Sequence, residues 1–230
     1  MSTGEQVIYR ELLDRHEFIK IPMIQRDYAQ GREGAEEIRE EFLTALQAAL
    51  EKPADDSSLP MNLDFIYGNI ESDEEDRFYP LDGQQRLTTL FLLHWYLAWN
   101  DDQRPHFENL FIKDNHATFT YEVRTSSIDF FDELVGFCPD NSPEDVPDLK
   151  ELITDQAWYF RYWRLDPTIQ SVLNMLNAMH DRFKSTTGLY QRLIDADQPA
   201  ITFQLLDLDR LGLSDDLYIK MNARGKPLTD

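Results

Sequence analysis

The stretch from Phe78 to Trp99 constrains the fold of this chain more than any other. A short aromatic and apolar run, Phe78-Tyr79-Pro80-Leu81, meets the turn signal Asp82-Gly83, passes through Gln84-Gln85-Arg86 and continues as an almost unbroken apolar segment. That order predicts a strand, a tight corner and a helix. Within the helix Leu87, Leu90, Phe91, His94 and Leu97 share one face, while Leu93, Trp95, Tyr96 and Trp99 occupy others. A helix apolar nearly all round is buried, so the rest of the chain must surround it, and His94 reads as a core or boundary histidine rather than a ligand. The polar corner is where an anion would sit. Amide N–H groups and the positive end of the dipole point out of a helix N-terminus, and Arg86 adds a planar guanidinium one turn in. Asp82 could cap the helix, orient Arg86 or help hold a metal ion, and Gly83 lets the backbone turn and a ligand come close. A plain turn followed by a solvated first helical turn is the alternative reading of the same residues.

Charge sets the next limit. The 230 residues carry 22 Lys and Arg against 43 Asp and Glu, a formal net charge of -21. A body this acidic repels a phosphate backbone, which excludes broad nonspecific contact with duplex DNA and requires any phosphate site to be local, built from a few convergent cations and amides. A hydrophobic content of 42% predicts a packed core large enough for one big domain or two small ones. The single cysteine, Cys138, excludes an internal disulfide and a Cys-rich zinc site, and its apolar setting reads as an inert thiol. The five histidines lack metal-ligand spacing. Neither a leader-like opening nor an apolar run of membrane-spanning length is present, which gives the expectation of a cytoplasmic protein.

Along the chain, Val7 to Leu13 reads as a short helix or turn, and Glu17 to Pro22 as a strand stopped by proline. Gly34 to Leu50 reads as an amphipathic helix with Ile38, Phe42, Leu46 and Leu50 on its covered face. Asn62 to Ile70 reads as a strand whose Gly68 marks close approach of backbone or ligand. A soft boundary at Asn100 divides a sheet-bearing part, residues 1–100, from a mainly helical part, residues 101–230, packed together as one unit. In the second part Ala117 to Arg124 reads as a strand, Ser126-Ser127 as a capped helix start, Leu149 to Trp163 and Asp166 to Lys184 as two helices, Leu189 to Ile194 as a short helix and Ala200 to Leu208 as a returning strand. Tyr121 and Arg124 could reach the corner, or could be an ordinary strand end. The aromatic run Trp158, Tyr159, Phe160, Tyr162 and Trp163 reads as core or as a seam against another domain before it reads as a base-stacking platform. An acidic surface with such a seam is compatible with self-association.

Asp82-Gly83-Gln84-Gln85-Arg86 followed by Leu87-Thr88-Thr89-Leu90 resembles the signature of the N-terminal domain of GmrSD-type restriction proteins, a phage-defence family. Two further boxes resemble the same family. Ile21-Pro22-Met23-Ile24-Gln25-Arg26-Asp27-Tyr28 is similar to its first box, although Gln30 stands where many members have a Trp. Asn222, Arg224, Gly225, Leu228 and Thr229 are similar to its third, Asn-x-Arg-Gly-x-x-Leu. The resemblance implies an α+β fold, a ParB/sulfiredoxin-like mixed sheet with helices followed by a mainly helical region. It also implies a domain that binds and hydrolyses a nucleoside triphosphate (NTP) with Mg²⁺ and regulates DNA cleavage by an HNH-type nuclease domain or subunit, DNA being met by the full assembly. No HNH-like His and Asn cluster occurs here, so the nuclease half is expected elsewhere.

Carried onto this sequence, the resemblance gives Asp82, Gln84, Arg86 and Gln25 as catalytic candidates, Asp82 being also the Mg²⁺ contact. Arg26, Tyr28, Gly83, Gln85, Thr88, Asn222, Arg224 and Lys226 become the nucleotide contacts. Arg26 and Arg86 would neutralise phosphate oxygens, and Gln25 or Gln84 would orient water. A Walker A pattern is absent, which excludes a P-loop mechanism. The same residues leave two other classes open: a sensor that binds nucleotide or modified DNA without turnover, and a ParB-like nuclease that nicks DNA itself. The charge and the lack of a two-metal carboxylate cluster argue against the latter.

Overall fold

A computed structural model describes residues 4–22, 27–72, 76–122 and 124–207. Gln25, Arg26, Asn222, Arg224 and Lys226, and with them the whole third box, lie outside the described residues. In chain order the elements are β1 (Glu5–Val7), α1 (Tyr9–Arg15), β2 (Phe18–Ile21), α2 (Glu36–Glu51), β3 (Met61–Ser72), β4 (Asp76–Asp82) and α3 (Gln84–Asn100). There follow α4 (Arg104–Phe111), β5 (Ile112–Lys113), β6 (His116–Ala117), β7 (Phe119–Tyr121), α5 (Thr125–Gly136), α6 (Leu149–Thr154), α7 (Pro167–Phe183), α8 (Leu189–Ile194) and β8 (Ile201–Asp207).

Six strands form one mixed sheet in the order β1-β8-β3-β4-β2-β7, as an α+β fold requires, and strands from both sides of Asn100 share it. β2 runs parallel to both β4 and β7, whereas β3 is antiparallel to β4 and parallel to β8. The carboxyl ends of β2, β4 and β7 therefore lie at one edge of the sheet. That edge receives the loop after Ile21, the Asp82-Gly83 corner and the turn into α5.

The corner places α3 between two layers. Phe91 stacks on Phe119 of β7 with ring centroids 4.9 Å apart, while Tyr96 packs on Phe183 of α7. Every residue of α3 from Leu87 to Trp99 is buried, as its unbroken apolar pattern predicts. Among the described residues no helix is long and apolar enough to cross a membrane.

His94 has become part of this core. Its Nδ1 donates to the Leu90 carbonyl at 2.7 Å, and Nε2 is buried without a partner. Protonation would bury a charge and an orphaned N–H, so burial holds the pKa down to about 4, against the usual 6.5. The unfolded chain takes up that proton first. Stability contributed by neutral His94 is therefore complete above about pH 6.5 and is lost as pH falls toward 4. Urea denaturation at pH 6.5 and pH 5 is expected to show a loss of about 2 kcal/mol in the wild type that is missing in His94→Leu. Equal losses in the two proteins would contradict it.

Several elements differ from their sequence patterns: Val7 ends β1 rather than opening a helix, and the strand expected over Ala117–Arg124 is divided between β6 and β7 in two sheets. In α2 the buried positions are Arg39, Leu43, Leu46, Ala49 and Leu50, and Ile38 is 62% exposed. A strict four-residue repeat drifts around a 3.6-residue helix, and the steps 39, 43, 46 and 50 follow the helix more closely. The expected helix over Leu149–Trp163 stops at Thr154, where the Gln156 side chain takes the Leu152 carbonyl at 2.9 Å. A 3-10 turn over Arg161–Leu165 follows, because Tyr159 and Trp163 turn back into the core. No element was expected between Asn100 and Ala117, where α4 and β5 now lie.

Candidate functional site

The Asp82-Gly83-Gln84-Gln85-Arg86 corner forms because β4 ends at Asp82 and Gly83 takes a left-handed conformation, φ 86°, as the residue before α3. The first intrahelical bond is Leu87 N–H to the Gly83 carbonyl at 2.9 Å. The amides of Gln84, Gln85 and Arg86 thus have no acceptor within the helix, the usual state of a helix N-terminus.

Each side chain of the corner reaches a different element. Gln84 Nε2 folds back and donates to the Leu81 carbonyl at 2.8 Å. Gln85 crosses to the loop after β2: its Oε1 accepts from Ala29 N–H at 2.6 Å and Gln30 N–H at 3.3 Å, and its Nε2 donates to the Asp27 carbonyl at 3.2 Å. Arg86 turns to β3, donating through Nη1 to the Leu63 carbonyl and through Nη2 to the Phe65 carbonyl at 2.8 Å and to Asp82 Oδ2 at 3.1 Å. Leu63 and Phe65 flank Asp64, where β3 loses register and the backbone is left-handed (φ 61°). Arg86 supplies donors where the ladder is interrupted. Asp82 itself is half-exposed, with Oδ2 paired to Arg86.

Behind the corner lies a buried hydroxyl network. Tyr28 OH meets Thr89 Oγ1 at 2.7 Å, and Thr89 Oγ1 donates to Gln30 Oε1 at 2.5 Å. Thr88 Oγ1 donates to the Gln84 carbonyl and meets Tyr121 OH at 2.8 Å. Burial pushes the Tyr28 and Tyr121 phenols well above their ordinary range, so both are neutral. Tyr28 and Thr88 are fully buried and already partnered, so they act from behind the loop and helix.

The loop that Gln85 grips is also held from three other sides. Arg39 donates to the Gln30 and Arg32 carbonyls at 3.5 and 3.3 Å, Asn174 of α7 donates to the Gly31 carbonyl at 3.0 Å, and Asp27 Oδ1 accepts from Thr168 Oγ1 at 3.3 Å and Arg124 at 3.2 Å. Arg124 also reaches Asp166 Oδ1 at 3.3 Å. Asp166 caps α7 through Thr168 N–H and Ile169 N–H. Ser126 and Ser127, whose position suggested a cap for α5, instead donate to Asp166 Oδ2 at 2.6 and 3.2 Å. The Asp27-Tyr28 end of the first box, the central corner and two helix starts thus meet at the carboxyl edge of β2, β4 and β7. Three arginines, Arg32, Arg86 and Arg124, stand there in a strongly acidic chain.

Sequence reasoning placed Asp82, Gln84, Gln85, Arg86, Tyr28 and Thr88 in one site; the structure brings Gln85 and Tyr28 together across the loop after β2 and pairs Arg86 with Asp82, while Gln84 turns onto Leu81 and Thr88 onto Tyr121. Sequence reasoning missed Asp27, Arg39, Asp166 and Asn174, and only Asp166 carried a local signal, the Asp-Pro start of a helix. Gly68, read as a place of close approach, faces the backbone of Tyr79. Among the described residues no group of three or more His, Cys, Asp and Glu could hold a metal ion.

The profile described as GmrSD restriction endonuclease, N-terminal domain, matches residues 9–230. Curated proteins give no match.

Proposed function

Because this chain belongs to the N-terminal domain family of GmrSD restriction endonucleases, we propose that it binds and hydrolyses an NTP with Mg²⁺ in the cytoplasm and thereby regulates DNA cleavage by an HNH-type nuclease domain or subunit. The observation that carries the reading is the Gln85 bridge. It ties the Asp27 end of the first family box, and the Ala29 amide that follows, to the second box, so these two segments are held together before any ligand arrives.

The edge suits phosphates. The amides opening α3 have no acceptor within the helix, and Arg32, Arg86 and Arg124 stand beside them, each paired with Asp27, Asp82 or Asp166, so a phosphate would take the place of a carboxylate on these guanidinium groups without a P-loop. Mg²⁺ suits the half-exposed Asp82, because this ion keeps several waters and is held mainly by one or two carboxylates and the phosphates themselves. Bound there, it would neutralise charge on the phosphoryl oxygens. The chain's own residues do the positioning: Gln85 fixes the loop, Arg86 sets the Asp82 carboxylate, and Tyr28 and Thr88 brace them from the core. Arg26, Asn222, Arg224 and Lys226 complete the nucleotide contacts in this reading, and Gln25 orients the attacking water, since the Gln84 amide is turned onto Leu81. Water adds to the terminal phosphorus, the bond to the bridging oxygen breaks, and phosphate and a nucleoside diphosphate leave.

One observation favours a second reading. Gln85, Thr88 and Tyr28 spend their polar atoms on internal bonds, which suits a sensor whose ligand biases the loop without turnover. Phosphate release from ATP, GTP, CTP and UTP with Mg²⁺ separates the two. The expected result is turnover with at least one nucleotide, reduced about tenfold in Asp82→Asn, which keeps the shape and loses the charge. Binding without release in the wild type would establish the sensor and remove hydrolysis.

A further inference from the structure

The 3-10 turn over Arg161–Leu165 presents a surface that the nucleotide reading does not use. Phe160 is 49% exposed, Tyr162 54% and Leu165 87%, and the two rings lie nearly parallel, 16° apart with centroids 5.7 Å apart. Both are held by the buried Trp163. Phe160 meets its ring edge-to-face at 5.0 Å, Tyr162 at 6.1 Å, and the Trp163 backbone N–H closes the turn on the Phe160 carbonyl. Arg161 and Arg164 flank the rings, exposed and without an ion pair to any described residue. In a chain of net charge -21, unpaired arginines beside exposed stacked rings are the reverse of the general surface.

We propose that Phe160–Leu165 is a stacking platform for an unpaired base of a DNA strand, with Arg161 and Arg164 on the flanking phosphates. The chemistry selects this occupant. A partner that is flat, aromatic and anionic extends an existing ring stack and satisfies both arginines, and a nucleic acid strand is all three. An acidic protein would meet the charges and leave the parallel rings unexplained. The platform is preorganised, because Trp163 fixes the ring directions before binding and little side-chain freedom is lost. The turn runs directly into Asp166, which Arg124 ties to Asp27, so the platform is connected to the edge where β2, β4 and β7 end. Specific recognition by a very acidic protein then needs only this local foothold, while the rest of its surface repels duplex.

The test is fluorescence anisotropy of a short labelled single-stranded DNA with the full chain at low salt and without nucleotide, so that failure of NTP hydrolysis does not enter. Tyr162→Leu keeps an apolar side chain and removes the ring; it is expected to weaken binding about tenfold, the change that about 1.4 kcal/mol of lost stacking produces, and Tyr162→Phe is expected to restore it. Arg161→Ala with Arg164→Ala is expected to flatten the log-log salt dependence by about one unit. All three substituted side chains are exposed, and circular dichroism checks that the variants remain folded. No binding by the wild type, or equal binding by Tyr162→Leu, overturns the proposal. Equal binding with a change in mass by light scattering assigns the surface to a protein contact instead.

Discussion

Gly31→Ala is expected to lower stability by about 3–5 kcal/mol, read as the shift in urea midpoint at constant slope. A Cβ added at Gly31 would lie 1.8 Å from the Ser171 carbonyl oxygen and 2.8 Å from its Cα, both backbone atoms of α7. A flexible side chain could move aside, but the backbone inside a 17-residue helix cannot. Relief would have to come from the loop, and the loop is held by Gln85, Arg39 and Asn174. Lifting it off α7 would break the Asn174 bond to the Gly31 carbonyl and strain the Gln85 contacts to Ala29 and Gln30. The variant should therefore expose the segment around Gly31 to limited proteolysis and, if the edge binds nucleotide, lose that binding. Wild-type stability and protection in Gly31→Ala would show that the loop does not rest on α7 in solution.

The second large effect is expected at Asp166, where Ala should cost about 3–5 kcal/mol. The carboxylate is buried and accepts from the two amides that open α7, from two serine hydroxyls and from Arg124. Loss of an N-cap alone costs about 1 kcal/mol. The remainder comes from donors left without their acceptor, Ser127 among them fully buried. Asp166→Asn, which keeps one side-chain oxygen for the cap and loses the charge facing Arg124, is expected to cost roughly half as much. Thermal unfolding of the two variants measures the division; if Asn were as damaging as Ala, the ion pair rather than the cap would carry the site.

These two positions also show where reading from the sequence reaches its limit. The start of α7 was legible, since Asp166-Pro167 is a local signal that acts within one helical turn. Its second use, as the acceptor for Ser126 and Ser127, was not, because those serines sit in a segment whose own pattern resembles a helix cap. Gly31 drew no notice in a polar loop. Its importance comes from a helix that begins well over a hundred residues later in the chain.

The sequence by itself determined the buried helix α3, the sharp corner before it, the strands that alternate, the cap of α7 and the family boxes, because periodicity, turn chemistry and capping act between residues a few positions apart. Only the tertiary structure decided what the corner's side chains do. Gln85 clasps a loop, Arg86 fastens an irregular strand, Arg39 turns inward, and the aromatic run divides into a buried Trp163 and an exposed stack. Those outcomes depend on which backbone amides and carbonyls are left unpaired when distant segments meet. A buried unpaired group costs enough to recruit any side chain that can reach it, and reach is a property of the folded chain.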